Sequence, residues 1–273
     1  MGIIEFAKSP WGQDVPIHAA FWLLWVSAIG GMIFLVVHAV WLRYYAKPEV
    51  FATSTSPAEA AKVPEKIKGH SLTARLFHLV QSICMLTLLV TAFLPKVGVQ
   101  FPWVTIHWIA GIVLGVSILF HIIHASFFMD FWGIWPDKID IEDAFRRMKR
   151  SRGEVAPPPR RFAKYPLENK MYHFAVLVTG LTVTATGAFM IFRVKTPFFT
   201  RNPYVLSDMS IGMMYTLHGL AGIALIGMTI IHVYFAFRPE KLPITKGMIF
   251  GTIDKEHYIE HHDPARWAAE AAE

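Results

Sequence analysis

Five apolar runs, at about 17–42, 73–94, 104–128, 171–192 and 212–237, constrain this chain more than any other feature. A helix rises about 1.5 Å per residue, so about 20 apolar residues cross the roughly 30 Å hydrocarbon layer of a bilayer. Each run meets that length. The layer holds no water to bind exposed N–H and C=O groups, so each run must satisfy its own backbone as a helix. Only 17% of the residues are charged and 54% are hydrophobic, against about 25% charged in soluble domains. The expected fold is all-α and integral to a membrane, with five transmembrane helices.

Charge sets the expected topology. Of 26 Lys and Arg, six fall from Arg43 to Arg75, ten from Lys138 to Lys170 and five from Arg238 onward. The other five are Lys8, Lys96, Arg193, Lys195 and Arg201. Connections that stay in the cytoplasm keep an excess of cations. The amino terminus is therefore expected outside and the carboxyl terminus in the cytoplasm, which in a bacterial inner membrane means a periplasmic amino terminus. The stretch "RRMKRSRGEVAPPPRR" then faces anionic lipid headgroups, and the net charge of +6 needs no nucleic acid to explain it. The one cysteine, Cys84, lies inside the second run, which excludes an internal disulfide framework and a cysteine-rich zinc site. The first run is too long, and its leader too weakly basic, for a cleaved signal, so it is expected as a retained helix. The expected division is an extra transmembrane helix with a short outside segment (1–45), a cytoplasmic linker (46–71), a four-helix domain (72–238) with a cytoplasmic loop at 129–169, and a cytoplasmic tail (239–273).

The four later runs form two helical hairpins that look duplicated. "RLFHLVQSICMLTLLVTAFLP" parallels "KMYHFAVLVTGLTVTATGAFM", each opening on a cation followed by His78 or His173. The next run of each hairpin, "HWIAGIVLGVSILFH" or "HGLAGIALIGMTIIH", begins and ends on histidine: His107 with His121, and His218 with His232. Fourteen helical steps return to within about 40° of the starting face and climb about 21 Å. Each helix thus presents two imidazoles on nearly one side, one near each membrane surface. Duplication alone implies a scaffold, but ionisable side chains at such depth usually mark a pathway or a cofactor.

Neutral imidazole is an axial ligand for haem iron, and helical bundles hold such groups between facing side chains. Two bis-histidine haems b stacked across the bilayer would use this geometry, within a four-helix haem-binding bundle preceded by one extra helix. Gly111, Gly115, Gly222 and Gly227 lie between the paired histidines, where a flat macrocycle needs room or helices pack closely. Zinc or a proton relay fits less well, because no Asp or Glu sits beside these rings. Covalent attachment is not expected without a C-x-x-C-H motif.

With these elements in this order, the chain resembles the cytochrome b (gamma) subunits of membrane-bound formate dehydrogenases and their relatives in nickel–iron hydrogenases. The resemblance covers about residues 70–268. It rests on "RLFH", on "IHWIAG", on the His218/His232 pair and on "GMIFGTIDKEHYIEHHDPARW". It implies two haems b, with His107 and His218 holding the outer one and His78 and His232 the inner one. The twin spacing leaves a second assignment open, in which His121 replaces His78. A third haem between His121 (or His124) and His173 is a further option. The first helix, with His18 and His38, precedes the family's four; its histidines are expected to cap or pack.

The resemblance also implies a quinone beside the inner haem, near "KYPLENKMYH". Pro166 stands where the family often has Asn, and Glu168, Asn169 and His173 follow as candidates to bind a quinone oxygen or relay a proton. Glu168 and Asn169 equally suit the first turn of a helix. The expected function is a membrane anchor that passes electrons between a periplasmic redox enzyme and the quinone pool. A periplasmic iron–sulfur or other redox subunit, with its catalytic subunit, would carry the substrate chemistry. The alternatives are a stand-alone quinol- or ascorbate-type transmembrane reductase and, from another class, a histidine-relay transporter.

Overall fold

A computed structural model describes residues 2–46, 49–52 and 55–271. Parts of the expected linker (Lys47, Pro48, Thr53, Ser54) and the last two residues of the tail lie outside the described residues. Helices dominate. Five are long and apolar enough to cross a membrane, within 22–44, 72–97, 103–128, 167–193 and 208–236. We name them α1 (Trp22–Tyr44), α3 (Leu72–Phe93), α4 (Trp103–Phe128), α6 (Leu167–Met190) and α7 (Asp208–Ala236). Their outward side chains are aliphatic and bare, including Val36, Ile83, Val116 and Leu119, each more than half exposed. Apolar surface on this scale is stable only against lipid. The protein is an all-α membrane bundle.

The chain divides into two compact units that share these helices. One comprises Met1–Val40, Val80–Leu119 and Val176–Tyr234. It opens on an antiparallel hairpin of β1 (Ile4–Lys8) and β2 (Asp14–Ala19). The hairpin turns at Gly12 (φ 79°), and Ser9 Oγ accepts the Trp11 and Gln13 N–H groups. The apolar run that began at about 17 therefore starts as strand, and α1 begins only at Trp22. Pro16 explains this, since it has no N–H to give an interior helical turn. Helix α1 then packs on α7. Ser27 Oγ donates to the Ile223 carbonyl at 2.6 Å and accepts the Gly227 N–H at 3.1 Å.

The second unit comprises Trp41–Leu79, Phe120–Ala175 and Phe235–Glu273. Its core is Val63, Ile67, Ile253 and Tyr258, with Ile259, Trp267 and Ala269 packed against it. The linker is more ordered than its polar composition suggested. It holds a capped helical turn, α2 (Pro57–Ala60), and a strand, β3 (Lys66–Lys68), that pairs with β4 (Thr252–Asp254) from the tail. Just before β4, α8 (Leu242–Phe250) ends on Gly251 at φ 89°. That left-handed turn lets the Gly251 carbonyl accept from both Gly69 and His70. Helix α9 (Lys255–His261) follows. The loop after α4 carries α5 (Lys138–Ser151), started by a reciprocal Asp137–Asp140 capping box.

Candidate cofactor site

Helices α4 and α7 bring His107 and His218 together. Their ring centroids are 6.1 Å apart with planes at 62°. Each ring is held from a neighbouring helix by a threonine. Thr91 Oγ1, on α3, lies 2.8 Å from His107 Nδ1, and Thr186 Oγ1, on α6, lies 2.9 Å from His218 Nδ1. Both threonines are buried, at 1% and 4% exposure. Both hydroxyls also bond their own helix, Thr91 to the Thr87 carbonyl at 2.7 Å and Thr186 to the Thr182 carbonyl at 2.6 Å. With Nδ1 engaged on each ring, Nε2 remains as the nitrogen available for another partner.

The pair fits an iron porphyrin. Two iron–nitrogen bonds of about 2 Å, with about 1.1 Å from nitrogen to ring centroid on each side, give a centroid separation of about 6 Å. The observed 6.1 Å matches. Room is also present. Gly111 and Gly222 lie one turn after His107 and His218, on the same helix faces. A Cβ on Gly222 would meet nothing within 4 Å, and one on Gly111 only Leu88 Cδ2 at 4.0 Å. The other two glycines serve packing. Gly115 would bring a Cβ to 3.2 Å from Thr184, and Gly227 to 2.9 Å from Ser27. A Cβ on Gly187, next to Thr186, would touch the His218 ring at 3.4 Å.

The remaining candidates are distributed as follows. His78 is half-buried on α3 in the second unit, and His232 is exposed on α7 in the first. His121 stacks face to face on Phe77, with centroids 4.0 Å apart and planes at 9°. His124 stacks between Phe120 and Phe128 along its own helix. His173 is half-buried in the second turn of α6. Glu168 opens that helix with its carboxylate 3.3 Å from Lys241, and the Asn169 N–H donates to the Pro166 carbonyl. Just before it, burial pushes Tyr165 up to about 12, and burial together with Lys164 pushes His70, which lies beside Tyr165, down to about 4. His38 lies 3.1 Å from the Tyr234 hydroxyl, and His18 is exposed, 3.6 Å from Glu5.

Residues 69–251, more than half of the chain, match the family described as prokaryotic cytochrome b561. The chain belongs to that family. No curated protein matches it. The matched segment begins after α1 and contains α3, α4, α6 and α7. As a cytochrome b561-family protein, the chain is a multi-pass membrane protein that binds haem b and transfers electrons.

The sequence singles out His107 and His218 by their spacing but not the threonines beside them, although a signal was present. Thr91 stands thirteen residues after His78, and Thr186 thirteen after His173. "TLLVT" and "TVTAT" therefore occupy the same place in the two hairpins. Threonine in an apolar helix reads as filler unless the duplication is followed residue by residue.

Proposed function

We propose that this cytochrome b561-family protein is the membrane di-haem b subunit of a respiratory oxidoreductase, linking a periplasmic redox partner to the quinone pool. His107 and His218 hold one haem. Their apposition, with both Nδ1 atoms engaged and open space beside Gly111 and Gly222, is the observation that carries the reading. The resemblance to the gamma subunits gives His78 and His232 to the second. The stacking of His121 on Phe77 favours a packing role for that ring.

A bound haem b supplies a one-electron carrier that cycles between ferric and ferrous iron. The chain's residues do the rest. The histidines bind and orient, and the apolar helices exclude water. Glu168 and Asn169 at the start of α6, with His173 one to two turns on, are the residues we assign to a quinone head group. The Lys241 ammonium keeps the Glu168 carboxylate positioned there. Substrate chemistry falls to partner subunits, because the chain has one cysteine and no nucleotide motif. The cation distribution supports a periplasmic amino terminus and cytoplasmic connections at 46–71 and 129–169.

The test is a haem-to-polypeptide ratio on purified, fully loaded protein, with and without His218→Ala. Two haems are expected in the parent and one in the variant, the survivor keeping its α-band. A parent ratio well below two, or a variant that keeps both haems, overturns the assignment. Haem in the absence of any co-purifying subunit would favour a stand-alone reductase.

A further inference from the structure

We propose that Thr91 and Thr186 are positioning residues that fix the protonated-Nδ1 tautomer of His107 and His218 and thereby set the reduction potential of the haem they hold. This inference rests on the His107–His218 assignment above and adds to it a residue on each neighbouring helix.

A threonine hydroxyl has one proton to give and two lone pairs to offer. Thr91 Oγ1 lies 2.7 Å from the Thr87 carbonyl and 3.1 Å from that of Leu88, and 2.8 Å from His107 Nδ1. A carbonyl oxygen can only accept. All contacts are hydrogen bonds at once only if the hydroxyl proton goes to the helix carbonyls and Nδ1–H donates to the hydroxyl oxygen. The same constraint holds on α6, where Thr186 Oγ1 lies 2.6 Å from the Thr182 carbonyl, 3.3 Å from that of Val183 and 2.9 Å from His218 Nδ1. The neutral imidazole carries one proton, so Nε2 is bare on both rings and presents its lone pair to iron. In the other tautomer Nε2 carries the proton and cannot ligate.

The arrangement is duplicated in detail. Thr87 and Thr182 themselves bond back to the carbonyls of Ile83 and Val178, both at 2.8 Å. Each ligand helix therefore takes its ring orientation from the partner helix of its own hairpin. The outer partner of a ligating histidine also governs how strongly the ring donates to the metal. An acceptor at Nδ1–H makes the ring electron-rich and favours ferric over ferrous iron. Removing it raises the potential. Because both rings serve one iron, both threonines act on the same midpoint.

The experiment uses the intact, haem-loaded protein with Thr91→Val, Thr186→Val and the corresponding serine variants, read by redox titration and by low-spin ferric electron paramagnetic resonance. Each valine variant should lower the ferric-over-ferrous preference of one haem on the order of tenfold, an upward shift of about 59 mV for a one-electron couple. The other haem should stay in place, and serine should restore the parent value. The same haem must move in both valine variants. If both haems are retained and no midpoint moves by as much as a twofold change in preference, the inference is overturned. Loss of the haem in valine but not in serine supports a requirement for the hydroxyl; loss in both assigns the threonines to packing and overturns it. His218→Ala separates the two levels. If it costs no haem, the ligand assignment fails; if it costs one while the valine midpoints stand still, only the tautomer inference fails.

Discussion

Breaking the buried ion pair that anchors the first turn of α6 should destabilise the protein far more than breaking an exposed pair in the same loop. Lys170 Nζ lies 2.7 Å from Asp140 of α5, and the two side chains are 2% and 6% exposed. Lys170 also donates to the Trp135 carbonyl at 3.1 Å. Asp140 accepts from Arg266 of the tail at 2.8 Å, which also reaches Asp137. Removing one partner of a buried pair costs about 3–5 kcal/mol, because the other charge is left without water. Lys170→Met belongs at the low end, about 3 kcal/mol, since Arg266 still answers Asp140. Asp140→Asn belongs near about 5 kcal/mol, since it leaves the Lys170 ammonium with neutral acceptors and no opposite charge, and removes the charge from the α5 capping box. Lys138→Met is the internal control. Lys138 is 91% exposed and 3.9 Å from Glu142, a pair worth under about 0.5 kcal/mol.

The assay is a thermal melt of the purified protein in detergent. At about 2–4 °C per kcal/mol, Lys170→Met should lower the midpoint by about 6–12 °C, and Lys138→Met by no more than about 2 °C. The double variant Lys170→Met/Asp140→Asn should fall short of the sum of its parts by about 2 kcal/mol, because the two side chains share one interaction. Burial alone would raise the Asp140 carboxyl, but hydrogen bonds from Lys170 and Arg266 outweigh it and hold the group below the usual carboxylate range. The clamp is therefore complete above the unfolded value of about 4 and is lost as pH falls through the lower folded value. If Lys170→Met melts within error of Lys138→Met, the pair is not desolvated as described and the reasoning fails.

Three other perturbations test the architecture. Filling the open space with Gly222→Leu should remove one haem while leaving the helical content unchanged by circular dichroism; retention of both haems would mean that this face of α7 borders no cofactor. Tyr258 is fully buried and its hydroxyl donates to the Trp267 carbonyl, so Tyr258→Phe should cost about 1–2 kcal/mol, visible as earlier proteolysis of the tail. Burial holds His262 down to about 4 from 6.5. Its folded value lies below the unfolded one, so its contribution is complete above about pH 6.5 and is lost as pH falls toward 4, on the order of 3 kcal/mol in all. Trp267 lies 4.7 Å from that ring, so the difference in fluorescence between the parent and Trp267→Phe should change as pH falls through about 4, and His262→Gln should flatten the change.

The spans were legible because lipid leaves a helix few alternatives: length and apolarity alone locate α3, α4, α6 and α7 to within a few residues. The start of α1 was not, because the apolar run continues into β2 through "VPIH", and apolarity does not distinguish strand from helix where Pro16 and a preceding turn decide. The folded linker and tail were also illegible. Ile67 is one apolar residue in a polar stretch, and its burial depends on β4, more than 180 residues away in the chain. Such long-range pairing leaves no periodic trace locally. At the candidate cofactor site, spacing singled out His107 and His218 and could not give their partners, since a hydroxyl bonded to its own helix looks like any other small residue in an apolar run.

That choice of partner follows from where the rings sit. Metal-bound histidine usually gives its second N–H to a carboxylate, a carbonyl or water. From 72 to 128 and from 169 to 207 the chain has no Asp or Glu, and a carboxylate in a membrane span costs about 2.5–3.5 kcal/mol or more. Helix carbonyls are engaged first by their own ladder and offer only a second lone pair. A threonine bonded to the turn below it is a neutral acceptor that an apolar span can hold. Its hydroxyl proton is committed to the Thr87 or Thr182 carbonyl, so the oxygen faces the imidazole as an acceptor at no charge cost. The lack of acidic residues, which by itself argued against proton and hard-metal chemistry, thus also explains why each candidate ligand is answered by a hydroxyl. Substituting Thr186→Asp would place a charge where the span has none, and the same reasoning requires that it lower both the yield of folded protein and the potential of any haem retained.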